Sequence, residues 1–331
     1  MHANHPRIAR VLLALAFVAA VAGATSREAL AQAFPSRPIK LIIPFPPGGP
    51  TDAAGRLIAQ KMSEGLGQQV VVETRAGASG IPGTDAGAKA APDGYTLTYA
   101  TTSTFSILPS LAASLPYDPR KSFAPISMVA NGPLLIVVHA DVPAQNLREF
   151  IALARAQPRV INYGSAGSGT VPHLAGELYK SMADVDLTHI PYKGSGPAQT
   201  DLIAGRIQAM FDAVAPLLPN VRAGKLRALA IASNKRLSLM PDTPTAAEAG
   251  LPGYEVGLWN GVLAPAGTPR EVVMQLNGVM RRALAEPSTE ETLLRYGLVP
   301  SWNTPEAFAA AMEVETARWA KVVKASGAKL D

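Results

Sequence analysis

Two glycine-rich loops, each running from a short apolar strand into a helix, carry the residues best placed for chemistry. The first is Pro44-Phe45-Pro46-Pro47-Gly48-Gly49-Pro50, followed by Thr51 and Asp52; the second is Gly164-Ser165-Ala166-Gly167-Ser168-Gly169, followed by Thr170. A helix N-terminus offers an anion unpaired backbone N–H groups and about half a unit of positive charge. Gly48 and Gly49 permit backbone conformations that a side chain forbids, and Thr51 adds a hydroxyl; Ser165, Ser168 and Thr170 supply hydroxyls at the second loop. Together the loops describe a cradle for a carboxylate. Taken singly, a loop of this kind is more often a plain turn.

Other chemistries fail in detail. Neither loop has the Gly-Lys-Ser/Thr ending of a P-loop or the three-glycine spacing of a dinucleotide fingerprint, and neither contains lysine. Ser79, Ser165, Ser168 and Ser195 each lack a flanking glycine of the nucleophile elbow. The chain has no cysteine, which removes disulfides, thiolate metal sites and cysteine nucleophiles together. After residue 33 only His139, His173 and His189 remain, with no pair at metal-binding spacing. His173 and Glu177 are four apart on one predicted helix, where a histidine bonded to a neighbouring carboxylate is the commoner arrangement; His139 and His189 read as structural. Asp212 follows the apolar run Ile207–Phe211 and so emerges at a strand's carboxyl end, where open α/β sheets keep their ligand crevice. A backbone cap for the following turn explains it equally well. No metal and no cofactor is called for.

The 331 residues, 48% hydrophobic and 17% charged, suffice for a sizeable core and favour two domains over one. The N-terminus has the form of an export signal: Arg7 and Arg10, an apolar run from Val11 to Ala24, and the cleavage-like Ala31-Gln32-Ala33. The run is too short to span about 30 Å of hydrocarbon, so the reading is of a soluble, exported chain beginning at Phe34. Loss of residues 1–33 takes the formal charge from +5 to +3. With scattered basic residues and 6% aromatics, no nucleic-acid surface is visible.

The elements that must position the loops alternate as in α/β proteins with largely parallel sheets. Strands are predicted at 39–43, 69–73, 95–100, 134–139, 160–163, 207–211 and 226–232. Helices are predicted from Thr51 or Asp52 to Gly65, from Thr170 to Met182, and from Ser195 to Gly205. Asn146 with Glu149, Thr268 with Glu271 and Ser288 with Glu291 read as capping boxes, and a mostly helical C-terminal stretch ends in a helix after Thr304-Pro305.

The mature chain resembles the Bug-type periplasmic solute-binding proteins of tripartite tricarboxylate transporters. The resemblance lies in Pro35-Ser36-Arg37-Pro38-Ile39, the first loop, Arg75-Ala76-Gly77-Ala78-Ser79-Gly80, Asp93-Gly94-Tyr95-Thr96-Leu97, Asn162 through Thr170, Pro191-Tyr192-Lys193-Gly194 and Leu263 through Pro269, in that order. It implies a type II periplasmic binding protein fold of two α/β lobes: residues 34–132 plus 256–331 form lobe one, 133–255 form lobe two, and one loop from each faces the cleft. It further implies a carboxylate gripped by backbone groups and water rather than by arginine. Residue by residue it assigns ligand binding to Phe45, Gly48, Gly49 and Thr51; to Thr101, Thr102 and Ser103; to Ser165, Ala166, Gly169, Thr170 and His173; and to Asp212, which in some members meets the ligand's far end. Ala213–Pro216 and Trp259-Asn260 fall where members vary. An acidic Asp212 disfavours a second carboxylate and favours a monocarboxylate, hydroxy acid or amino acid. The implied function is a non-enzymatic, monomeric periplasmic receptor that delivers a small organic acid to the large and small membrane subunits of a transporter. A sensor subunit docking on a signalling partner uses the same cleft and is the alternative; an exported hydrolase lacks a legible base and nucleophile.

Overall fold

The computed structural model describes residues 34–48 and 50–328. The export signal with its cleavage tripeptide, and Gly49 of the first loop, lie outside the described residues. The fold below belongs to the unit that begins at Pro38.

In chain order the elements are β1 (Ile39–Ile43), α1 (Pro50–Leu66), β2 (Val70–Thr74), α2 (Ile81–Ala88), β3 (Thr96–Thr101), a π-type turn at Ser103–Ile107, α3 (Leu108–Leu111), β4 (Phe123–His139), α4 (Leu147–Ala156), β5 (Asn162–Ser165), α5 (Val171–Ala183), β6 (Thr188–Pro191), α6 (Ser195–Ile203), β7 (Ala209–Ala213), α7 (Val214–Arg222), β8 (Leu226–Ile231), β9 (Gly257–Pro265), α8 (Arg270–Leu284), α9 (Pro287–Arg295), β10 (Val299–Pro300) and α10 (Pro305–Ser326). The protein is α/β, as the sequence predicts. Its sheet is mixed rather than largely parallel. The order is β2-β1-β3-β9-β4-β7-β5-β6, with β8 and β10 also on β4. β1 pairs in parallel with β2 and β3, and β5 with β6 and β7, whereas every pairing of β4 is antiparallel.

β4 belongs to both halves of this sheet. Residues 123–133 pair with β9, and residues 134–139 pair with β7 and β8. The registers fix where the loops go. Thr101, the end of β3, pairs with Asn260, which pairs with Ala130 of β4; Ala213, the end of β7, pairs with Leu134. The carboxyl ends of the two strand sets therefore approach head to head, about 13 Å apart along β4 at 3.3 Å per residue. The crevice of an α/β sheet lies at these ends, and here two of them are opposed.

Apolar side chains on both faces of the strands explain the packing. Leu134, Ile136 and Val138 point into one cluster with Tyr163, Leu174, Tyr179 and Phe211, while Leu135 and Val137 point into another with Leu202, Met210 and Ile231. The C-terminal helix joins the halves. Phe308 and Met312 of α10 pack with Phe105, Phe123 and Trp259, but Trp319, Val322 and Val323 of the same helix belong to the cluster of Tyr163 and Tyr179.

Two of the three predicted capping boxes do not form. Asn146 accepts the Glu149 N–H at 3.0 Å as predicted. Thr268 instead donates to the Pro265 carbonyl at 2.8 Å, and α8 begins at Arg270 without a side-chain cap. Ser288 lies inside α9, whose N-cap is Glu286.

Candidate functional site

The first loop leaves β1 after Ile43. Gly48 has φ +95°, the left-handed region that glycine enters without strain. Its N–H donates to Asp52 Oδ2 at 3.1 Å, and Arg56 Nε donates to both Asp52 oxygens at 3.0 Å. Burial alone raises the pKa of the Asp52 carboxyl, but the bonds from Arg56 and Gly48 outweigh it and hold the group below the usual carboxylate range. One loop amide is thus already satisfied by the protein's own carboxylate. Thr51, in the first turn of α1, and Phe45 are half-buried beside it.

The hydroxyl-rich segment ends β3. Thr102 is fully buried, and its Oγ1 accepts the Trp259 N–H at 2.8 Å, tying β3 to β9. Thr101 is tied to Thr104 by its N–H and by its hydroxyl, both at 3.3 Å. Ser103 is half-buried at the start of the π-type turn.

The second loop follows β5. Ser165 Oγ accepts the Gly167 N–H at 3.2 Å and lies 2.6 Å from His189 Nε2; Thr170 Oγ1 donates to the Gly167 carbonyl at 2.7 Å. Gly167 and Gly169 have φ of +130° and +77°. His173 does not bond to Glu177, contrary to the sequence reading. Its Nδ1 accepts the Gly169 N–H at 2.9 Å, while Glu177 accepts the Tyr163 hydroxyl at 2.6 Å and pairs with Lys180 at 3.1 Å. Ala166 accepts from the Gly194 N–H at 3.1 Å, which brings the start of α6 to the loop.

Asp212 ends up where the strand argument places it, level with Leu135 on β4. Its Oδ1 accepts the Ala213 N–H at 2.8 Å, so the cap exists. Its Oδ2 is buried without a hydrogen-bond partner, the Ser195 hydroxyl lying near enough to lower the pKa but outside hydrogen-bond geometry. Burial dominates and pushes the pKa up. That weakens the sequence argument against a second carboxylate, because burial disfavours the charged form that would repel it.

Two parts of this arrangement were missed. His189, which the sequence reads as structural, touches Ser165 directly. Both loops also bind a glycine amide to a side chain four residues on, Gly48 to Asp52 and Gly169 to His173, a spacing that is legible in the sequence. Among the described residues no cluster of His, Cys, Asp and Glu could hold a metal ion, and no helix is long and apolar enough to cross a membrane.

Residues 54–328 match the sequence model of the tripartite tricarboxylate transporter family receptor. Protein BugT of Bordetella pertussis is 38% identical over 322 residues, 97% of this chain and 98% of its own. Rpa4515 of Rhodopseudomonas palustris, solved with adipate, is 37% identical with a TM-score of 0.77, over 89% of this chain and 99% of its own. MatC of the same organism, solved with malate, is 35% identical with a TM-score of 0.72, over 88% of this chain and 100% of its own. Sequence and two-lobed fold agree that this chain belongs to the tripartite tricarboxylate transporter receptors, the Bug-type periplasmic solute-binding proteins.

Proposed function

We propose that this receptor captures a small organic acid in the crevice between the opposed strand ends and delivers it to the large and small membrane subunits of its transporter. Its lobes are 34–132 plus 256–331 and 133–255, it acts as a monomer, and its leader is removed near Ala33. The observation that carries the reading is the head-to-head register of β3 and β7 along β4, which opposes two glycine-rich, hydroxyl-bearing loops. Phe45, Gly48, Thr51, Thr101, Thr102 and Ser103 line one side, and Ser165, Ala166, Gly169, Thr170 and Asp212 the other. Gly48 and Gly169 contribute backbone shape, since their amides have internal acceptors. Relatives solved with adipate and malate favour a carboxylate ligand. Binding without turnover fits Ser165, whose hydroxyl is held by both the Gly167 N–H and His189.

A thermal-shift screen of ligand-stripped protein against mono-, di- and tricarboxylates, aromatic acids and amino acids tests the reading. At a hundred times its Kd a ligand adds about 2.7 kcal/mol, which is several degrees. A response confined to one acid class supports the receptor; silence across all acids defeats the carboxylate assignment. Asp212→Asn is expected to leave the unfolding temperature nearly unchanged and to alter the relative affinities of the responding acids by about tenfold, the size of one buried hydrogen bond. An identical ligand order, measured by calorimetry, would reduce Asp212 to a cap on Ala213.

A further inference from the structure

The second loop rests on two stacked histidines. The rings of His173, in the first turn of α5, and His189, on β6, lie face to face with centroids 3.9 Å apart and planes 13° from parallel. Tyr163 of β5 packs against His189 at 4.9 Å. From this seat each histidine reaches the loop: His189 through Ser165 Oγ, and His173 through the Gly169 amide.

The second contact fixes a protonation state. A backbone N–H can only donate, so His173 Nδ1 must carry a lone pair, and its proton must be on Nε2. A proton arriving from solvent at Nδ1 removes the acceptor and sets N–H against N–H. It also places a cation 3.9 Å from a second imidazole in a half-buried site, where two charges cannot coexist cheaply. The surroundings do not rescue the cation. Glu177, on the same helix, favours the cation, but it is engaged by the Tyr163 hydroxyl and by Lys180, and burial together with the charge of Lys180 outweighs it. Tyr163 on β5, whose hydroxyl donates to the His173 carbonyl, and His189 on β6 bring no further carboxylate to the ring.

We propose that His173, seated on His189, is the positioning residue of the second loop, and that its protonation at Nδ1 releases Gly169 and with it the bound acid, the lost loop geometry costing more affinity than the imidazolium's attraction for the carboxylate adds. This rests on the reading of residues 165–170 as a ligand loop. Burial holds the His173 pKa below its ordinary value and, with the charge of a protonated His173 and Lys180, brings that of His189 to about 4. Both are therefore neutral at pH 7, and the loop is set for capture. The release window therefore lies below the ordinary titration range of histidine.

The test compares the mature protein with His173→Asn and His173→Phe, using adipate and malate as probes at pH 7.5 and 4.5. Asn keeps an acceptor oxygen near the Nδ1 position and does not titrate; Phe keeps the stacked ring and has no acceptor. The parent is expected to lose about tenfold more affinity on acidification than His173→Asn, the probes' own ionisation being common to both, and His173→Phe to bind about tenfold more weakly at pH 7.5. Equal pH profiles for parent and His173→Asn, or parent-like binding by His173→Phe, overturn the proposal. If neither probe binds, the Gly169 amide resonance of the ligand-free protein still decides. It should move with the His173 titration in the parent and stay fixed in His173→Asn; an amide indifferent to that titration refutes the positioning role whatever the ligand is.

Discussion

Gly167→Asp abolishes capture while leaving the protein folded, with affinity falling by at least about a hundredfold. Two effects add. Gly167 has φ +130°, and a Cβ there meets the Tyr192 carbonyl oxygen at 3.3 Å, so any side chain strains the loop by about 1–2 kcal/mol. The carboxylate then places a negative charge at the entrance of α5, where the ligand's own carboxylate is to lie, and like charges so juxtaposed cost several kcal/mol. A sum of about 3 kcal/mol is a factor of about a hundred. Gly167→Ala carries only the strain and is expected to lose about tenfold, so calorimetry on both variants separates the terms. Parent-like affinity in the aspartate variant would show that the second loop does not meet the anion.

Trp319→Ala is expected to produce the largest loss of stability, about 3–5 kcal/mol and a fall in Tm on the order of 10 °C. Trp319 is fully buried, and its Nε1 donates to Glu315 at 3.0 Å. Its helix supplies Phe308 and Met312 to the core beside Phe105 and Trp319 itself to the core beside Tyr179, so the void opens where the halves are joined. A single unfolding transition in the parent should broaden or split in the variant, because the part of the sheet built on β5 and β7 loses a wall that the part built on β1 and β3 keeps. A sharp transition within 2–3 °C of the parent, by calorimetry, would show that α10 does not couple the halves.

Local physics made much of this legible in advance. The bounds of β1 are those predicted, because Ile39, Leu41, Ile42 and Ile43 form an apolar run stopped by Pro44. The last helix, predicted after Thr304-Pro305, begins at Pro305 itself, with Thr304 as its cap. The same logic failed at Thr268, whose pattern matches that of Asn146: a carbonyl three residues back is the nearer partner, and no rule of spacing records that. It failed again before Leu134, where the sequence predicts a strand to begin. β4 runs straight through, because its partners change there and the missing N–H of Pro133 falls at the changeover. β9, also unforeseen, pairs with strands more than a hundred residues earlier in the chain, a partnership invisible to any local window.

The two glycine-rich loops, the helices that follow them and the family to which the chain belongs were determined by the sequence itself, since backbone freedom, capping and motif order are local properties. Which loop groups remain available was decided only in three dimensions. Asp52 and His173 claim amides in their own loops, whereas Thr102 is claimed by Trp259, Ser165 approaches His189, and Asp212 is left with one oxygen unpaired. A hydrogen bond goes to the nearest suitably oriented partner, and for these last three the partners present or lacking are set by tertiary packing of distant strands, not by the order of residues.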